Sequence, residues 1–464
     1  MSRYKYIIKD FHAIKDAQII LDGITVLSGI NGCGKSTLSR WLYYVVEGTV
    51  DYDKILIDNY KSNLIRLLER IHFAFRDIDR FYRQNNISDD TSISLKLRNI
   101  LNQLSSLDSK SLNNAEIAHD LFLQIIFSIG NFFENDKLVD LPKARAERFF
   151  SFLGIDFSVH TTNQAIDTFI NVHTRWLEDL TRKLNSALND RPSDLFFQHI
   201  SSKYHVDDFP KYFQLEEDGV DVIEEQISNI YNLNQVIYID TPMSVTIEES
   251  DNFFWEKLHE MMMENKKNNS IEDRKILLRI KYLLDGETIL IDDDDFLENK
   301  TLRYISSDKK INIDLKEAAT GFKTFSYLQR LLENGYLNKH TLLMIDEPEA
   351  HLHPQWIVDY ARLIVLLNKH LGLKVMLASH NPDMVAAIQA IANKEGILDN
   401  TNFYVANPSA ENPHQFVYKY LGHEIGEIFE SFNIALDRIE SYGNVDLHNI
   451  AAPPIDDKLL VDTK

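Results

Sequence analysis

The chain has 464 residues, 44% hydrophobic and 26% charged, the balance of a soluble globular protein long enough for two or three domains. Its net charge of −21 repels phosphate backbones and argues against broad nucleic-acid binding, leaving open only a local basic groove. Cys33 is the single cysteine, so no internal disulfide forms; no apolar run reaches spanning length and Met1-Ser2-Arg3-Tyr4-Lys5-Tyr6 lacks a signal-peptide core, which predicts a cytoplasmic protein with no membrane partner.

In residues 3–50, Ile7, Ile8, Phe11, Ile14, Ile19, Ile20 and Leu21 fall in short runs broken by Lys, Asp and Gly, the pattern of a small antiparallel sheet. It feeds a β-branched strand, Ile24-Thr25-Val26-Leu27. Gly29-Ile30-Asn31-Gly32-Cys33-Gly34-Lys35-Ser36-Thr37 follows, reading G-x-x-x-x-G-K-S, and Leu38, Trp41, Leu42 and Val45 then recur at helical spacing. Strand, glycine loop and helix make an anion cradle from backbone N–H groups and the positive helix end. The predicted nucleotide-binding set is therefore Asn31, Gly32, Gly34, Lys35, Ser36 and Thr37, with Lys35 reaching the β- and γ-phosphates and Ser36 holding Mg²⁺.

Residues 51–234 change character and are expected to form a helical insertion. Leu64, Leu67, Leu68, Ile71, Phe75 and Ile78 mark one amphipathic helix; Ile166, Phe169, His173, Trp176, Leu177, Leu180 and Leu184 mark another. Heptads are not sustained, so a compact lobe or short hairpin is expected, not a long coiled-coil arm. The basic stretch Pro142 to Arg148 is the best small candidate for a nucleic-acid groove, with a solvated helix face as the bland alternative.

Residues 235–450 return to strands. Val236 to Asp240 reads as one, and Thr288–Ile291, Leu302–Ile305 and Ile311–Leu315 as three more, with the acidic run Asp292 to Asp295 as a turn. Thr341-Leu342-Leu343-Met344-Ile345 is all apolar, as a buried parallel strand should be, and ends in Asp346-Glu347. A helix is expected from Pro354 to Gly372, then the strand Lys374 to Ser379, ending at His380. The alternation predicts an α/β fold with a mainly parallel sheet, and residues 451–464 as a frayed tail.

Ligands of open α/β sheets bind at the carboxyl ends of the strands. There Asp346 would assist Ser36 with Mg²⁺, Glu347 would deprotonate the attacking water, and His380 would hydrogen-bond the terminal phosphate, so Glu347 and His380 are the candidate catalytic residues. His351 and His353 alternate in one loop without a third ligand and read as structural.

Gly29 to Thr37, Thr320 to Lys323, Leu342 to Pro354 and Ser379-His380-Asn381 together resemble the ABC-type ATPase head, nearest to its OLD-like and SMC-like variants. Glu347-Pro348-Glu349-Ala350-His351-Leu352-His353-Pro354 is similar to the OLD-like form, and Asp10-Phe11-His12 also fits such heads. The resemblance spans the two flanking segments, roughly three-fifths of the chain, and makes 1–50 and 235–450 the two parts of one head. It implies ATP and Mg²⁺ as cofactors. It also implies that Ala319-Thr320-Gly321-Phe322-Lys323 is a signature, with Thr320 where serine is usual, whose Thr320, Gly321 and Lys323 serve the ATP of a second copy in a head-to-tail dimer or higher oligomer.

OLD-like proteins often carry a C-terminal nuclease domain, for which the stretch after His380 is too short. The resemblance thus points to the stand-alone ATPase subunits of anti-phage systems such as PARIS and Septu, with a separate nuclease or toxin effector and a phage-derived trigger. A DNA-repair or chromosome-maintenance ATPase of the RecF or SMC type is the alternative, and a transporter ATPase a third. Ile425, Ile428, Phe429, Phe432, Leu436 and Ile439 form an apolar stripe that either packs on the head or docks a partner.

Overall fold

The computed structural model describes residues 2–84, 93–109, 111–134, 142–155, 162–240, 253–266, 270–292 and 300–430. They fall into two compact units, one within Met1–Val46, Asp208–Val222 and Ile230–Lys464, the other within Glu47–Asp207 and Ile223–Asn229.

In chain order, β1 (Tyr4–Phe11), β2 (Ile14–Leu21) and β3 (Ile24–Ser28) precede α1 (Lys35–Val50). The helices α2 (Tyr52–Gln84), α3 (Ile93–Ser106), α4 (Leu112–Glu134), α5 (Lys143–Phe152), α6 (Thr162–Asp190) and α7 (Ser193–Tyr204) follow. Then come β4 (Tyr212–Glu217), β5 (Val220–Asp221), β6 (Gln235–Ile239), α8 (Phe253–Met263), α9 (Ile271–Leu284), β7 (Gly286–Asp292), β8 (Lys300–Ser306) and β9 (Asn312–Asp314). The last are α10 (Thr320–Glu333), β10 (Thr341–Asp346), α11 (Pro354–Leu371), β11 (Lys374–Ser379), α12 (Pro382–Glu395), β12 (Thr401–Pro408) and β13 (Phe416–Gly422).

The first unit is built on a ten-stranded sheet of order β5-β4-β1-β2-β13-β12-β3-β11-β10-β6, with a separate antiparallel sheet β7-β8-β9. The run β12-β3-β11-β10-β6 is parallel throughout. Every residue of β3, β10 and β11 is buried, as a parallel sheet covered on both faces requires. Alternate residues Ile24, Val26, Ile237, Ile239, Leu343, Ile345, Val375 and Leu377 share one core with α8 to α12. The N-terminal hairpin does not form a sheet of its own, because β13 returns to pair with β2 in parallel.

The helices start and stop where side chains satisfy their ends. Ser270 and Asp273 form a capping box at α9. Asn381 accepts from the backbone of Asp383 and Met384, Pro382 opens α12, and Gly396 closes it at φ 73°. His353 caps α11 through its ring nitrogen, with Pro354 first in the helix. That gives His353 a structural role, and no cluster of three or more His, Cys, Asp or Glu able to hold a metal occurs among the described residues.

The second unit is helical. Both expected stripes face inward: Leu64, Leu68, Ile71, Phe75 and Ile78 on α2, and Ile166, Phe169, His173, Leu177 and Leu184 on α6, are buried. Lys61 is buried as well, its ammonium donating to the Leu107 carbonyl and, at 2.9 Å, to Ser109 Oγ. The basic stretch at Pro142–Arg148 opens α5, where Arg145 pairs with Asp77 at 2.8 Å and lies over the Phe81 ring. This is the bland reading of those charges.

One boundary differs from expectation. The insertion is not helical to residue 234: Tyr212–Glu217 pairs with β1 in the main sheet, because Leu215 and Glu217 bury on alternate positions, with Phe213 half-buried before them, and Glu217 accepts from Tyr4. Of the acidic run only Asp292, at the end of β7, is described; Asp293 to Asp295 lie outside the described residues. Ile425 and Ile428 are buried in the head's core with Phe429 against it, whereas Phe432, Leu436, Ile439 and residues 451–464 lie outside the described residues.

The Arg330 guanidinium on α10 is buried and donates to the carbonyls of Met262 and Glu264 and to Glu333 at 2.7–3.1 Å. Arg330→Met leaves those acceptors unpaired, so it should lower unfolding stability by about 3 kcal/mol. Chemical denaturation of the two proteins side by side measures it.

Candidate active site

Parallel pairing sets the site. Ser28 lies beside Ser379, Leu27 beside Ala378, Ala378 beside Asp346 and Ile345 beside Ile239. The carboxyl ends of β3, β11, β10 and β6 therefore stand level, and the glycine loop, His380, Glu347 and Asp240 all emerge at one edge.

A cleft of about 230 Å³ opens there, lined by Asn31, Gly32, Gly34, Lys35, Ser36 and Thr37 on one side and by Asp346, Glu347 and Ala378 on the other, with Ala13 at its rim. All six expected nucleotide-binding residues thus converge with Asp346 and Glu347. Gly34 has φ 94°, and a Cβ there would come within 2.8 Å of Ile14. The loop can lie this close to the β1–β2 turn only with glycine. The Lys35 ammonium donates to the carbonyls of Gly29 at 2.8 Å and Ile30 at 3.1 Å, which holds it inside the curve of the loop.

Asp346 is buried. It accepts from Ser39 at 3.0 Å and from the Tyr238 hydroxyl at 2.7 Å, and Ser36 also bonds to it. Burial holds its carboxyl above the ordinary aspartate value, partly offset by those hydrogen bonds. A buried carboxylate ringed by hydroxyl donors beside Ser36 fits a small hard cation, so Ser36 and Asp346 suit Mg²⁺. Ser39 and Tyr238 escaped the sequence reading. Ser39 sits one helical turn after Lys35, and Tyr238 next to last in β6, so both positions were visible once the strands were aligned.

Glu347 takes φ 47°, a left-handed conformation that costs a non-glycine residue about 1–3 kcal/mol. Its N–H donates to the Ala378 carbonyl at 2.8 Å, fixing the turn to β11. The side chain is about a third exposed, facing the cleft. His380 Nδ1 lies 3.4 Å from Glu347 Oε1 and 3.5 Å from Glu349 Oε1. Glu349 itself is buried and accepts from Ser379 Oγ at 2.8 Å and from the His380 N–H at 3.0 Å.

Thr320, Gly321 and Lys323 do not line this cleft. Thr320 opens α10 after Ala319, whose side chain makes no capping bond. Gly321 is there for packing: a Cβ would meet the Trp356 ring at 2.6 Å. Lys323 is turned inward, donating to the Lys316 carbonyl at 2.8 Å, and burial lowers its pKa. It anchors the helix start.

Fold and site define an ABC-type P-loop ATPase head, in keeping with the resemblance read from the motifs. Residues 4–385 match the family described as an AAA ATPase domain, and the chain belongs to that family. It is 21% identical over 465 residues to endonuclease GajA of Bacillus cereus (strain HuB5-5), covering 88% of this chain and 61% of that protein. It is 25% identical over 194 residues to the methionine import ATP-binding protein MetN of Lactobacillus delbrueckii subsp. bulgaricus, covering 39% and 52%. The chain thus spans about three-fifths and about half the length of these relatives. Among solved structures it is similar to the Smc head domain with an extended coiled coil bound to the C-terminal domain of ScpA, from Pyrococcus furiosus, at 9% identity, 95% of this chain, 100% of that one and a TM-score of 0.31.

The raised Asp346 carboxyl has a thermodynamic consequence. A carboxyl that titrates higher in the folded state than in the unfolded one destabilises the fold once ionised, so stability is lost as pH rises from the unfolded value through the folded one. Asp346→Asn should therefore melt at a higher temperature than the wild type near neutral pH without nucleotide. It should lose most of the further rise that ATP with Mg²⁺ gives the wild type. Thermal melts with and without the nucleotide test both halves.

Proposed function

We propose that the chain binds and hydrolyses ATP at a site shared between two copies of itself, and acts as the sensor and scaffold subunit of a cytoplasmic anti-phage defence complex. The nuclease or toxin effector is a separate chain, and a phage-derived component is the trigger. The observation that carries the catalytic half is the convergence of the glycine loop, Asp346, Glu347 and His380 at the level ends of parallel strands, while Thr320 and Gly321 stand outside the cleft. The defence half is supported by the OLD-like Glu347 to Pro354 string and by the similarity to an endonuclease.

The loop amides and Lys35 bind the phosphates. Ser36 and Asp346 hold Mg²⁺, which neutralises phosphate charge when bound. Glu347 accepts the proton of the attacking water, and His380 donates to the terminal phosphate. The start of α10, where Ala319 is exposed and Thr320 half-buried, closes the site from the second copy with its backbone N–H groups and the Thr320 hydroxyl.

If the site is shared, two differently broken copies repair each other. Lys35→Ala protomers mixed with Thr320→Glu protomers should hydrolyse ATP although each alone is inactive, since a mixed pair holds one intact loop opposite one intact signature. Thr320 is the better choice because its neighbour Gly321 is packed against Trp356. Mixtures as inactive as their parents, with subunit exchange verified, would refute sharing.

The division of labour is tested with Glu347→Gln, which should keep ATP bound while stopping hydrolysis. The purified chain with ATP and Mg²⁺ should leave DNA and RNA intact, and cleavage or toxicity should require the product of a neighbouring gene. Cleavage by this chain alone would refute the scaffold role, and ATP-dependent DNA binding without an effector would favour the repair class.

A further inference from the structure

The hydrolytic scheme leaves one buried acid without a task. Glu349 is only 6% exposed. One of its oxygens accepts from Ser379 Oγ and the His380 N–H; the other is buried without a hydrogen-bond partner. Holding those two donors needs only a neutral acceptor such as an amide oxygen, so a buried charge with a bare oxygen is an expensive way to make a turn.

What distinguishes a carboxylate here is the imidazole above it. His380 Nδ1 is buried and makes no well-formed hydrogen bond, yet two carboxylate oxygens flank it, Glu347 Oε1 at 3.4 Å and Glu349 Oε1 at 3.5 Å. One proton on Nδ1 can serve only one of them well. If it goes to Glu347, the base is occupied and its lone pair is withdrawn from the water. If it goes to Glu349, the ring is held by a residue fixed in the core and Glu347 is left free.

We infer that Glu349 is a positioning residue for ATP hydrolysis: it accepts from the Nδ1–H of His380 in the ring form that carries a proton on both nitrogens, so that Nε2–H donates outward to the terminal phosphate and Glu347 stays available to the attacking water. The inference rests on the ATPase reading of this site. The setting suits it. Glu349 is itself pinned by Ser379, whose Oγ also accepts from the Asn381 N–H at the cap of α12. The ring orientation is thereby tied to the β11–α12 junction and not to a mobile side chain.

The test is kinetic. Glu349→Gln keeps an acceptor for Ser379 and the His380 N–H and removes the charge beside Nδ1. Its turnover at saturating ATP should fall by about 10- to 100-fold, the usual penalty for losing an orienting partner, with the affinity for a fluorescent ATP analogue unchanged. The penalty should vanish in the His380→Ala background, because Glu349 acts through that ring. Wild-type turnover in Glu349→Gln, loss of nucleotide binding by a folded variant, or a penalty undiminished in the His380→Ala background would each overturn the assignment. Should Glu349→Gln not fold, Ser379→Ala, which removes one anchor of Glu349, takes its place: slower turnover at unchanged affinity, again absent with His380→Ala, supports the assignment, and unchanged turnover overturns it. Glu347→Gln separates the two levels. Hydrolysis that survives it overturns Glu347 as the base and this inference together; no hydrolysis by the wild type overturns the ATPase reading itself; hydrolysis that Glu347→Gln stops but Glu349→Gln leaves alone overturns only the role of Glu349.

Discussion

The register of four parallel strands is the constraint on which the chemistry depends. Ser28, Ser379, Asp346 and Ile239 each end their strands within a residue of the neighbouring strand's end. Side chains alternate between the two faces of a strand, so a slip of one residue between β10 and β11 would turn Asp346 away from Ser36 and lift Glu347 off the Ala378 carbonyl. Full burial on both faces holds the register, because every slip would expose apolar residues such as Leu343, Ile345, Val375 and Leu377 on the wrong side.

Having placed these groups, the fold tolerates local disadvantages around them. Asp346 is a carboxyl in the core, raised by burial and steadied by Tyr238, Ser36 and Ser39. Glu347 sits in a left-handed backbone conformation without being glycine. Glu349 keeps an unpartnered oxygen. These three lie within four consecutive positions, and the apolar strands on either side supply the stability that permits them.

Much of this was legible in the sequence, for identifiable reasons. The glycine spacing and the lysine that follows allow one loop geometry, so the phosphate-side residues could be read directly. The unbroken apolar run from Thr341 to Ile345 announced a strand buried on both faces, and Pro354 and Gly372 marked helix ends. Other features depend on partners distant in the chain. Tyr4–Glu217, which ties β4 into the sheet, joins residues on either side of the helical segment, so the strand at 212–217 was hidden inside a region read as helical. His353 read as structural for want of a third ligand, but its particular role, a ring nitrogen capping α11, leaves no compositional trace.

The contact between Gly321 and Trp356 carries a mechanical implication. Trp356 lies in the first turn of α11, directly after the loop that contains Glu347, and its ring meets Phe322 and Phe325 edge-on while overlying Gly321. These ring contacts join the start of α11 to the start of α10, so that the two can move as one lever. On the two-copy reading, the loop beside a subunit's own ATP and the surface it offers to its neighbour's ATP sit at opposite arms of that lever. A small change on hydrolysis at one nucleotide would then be felt at the other without any change in the core, giving a pair of sites that keep time with each other.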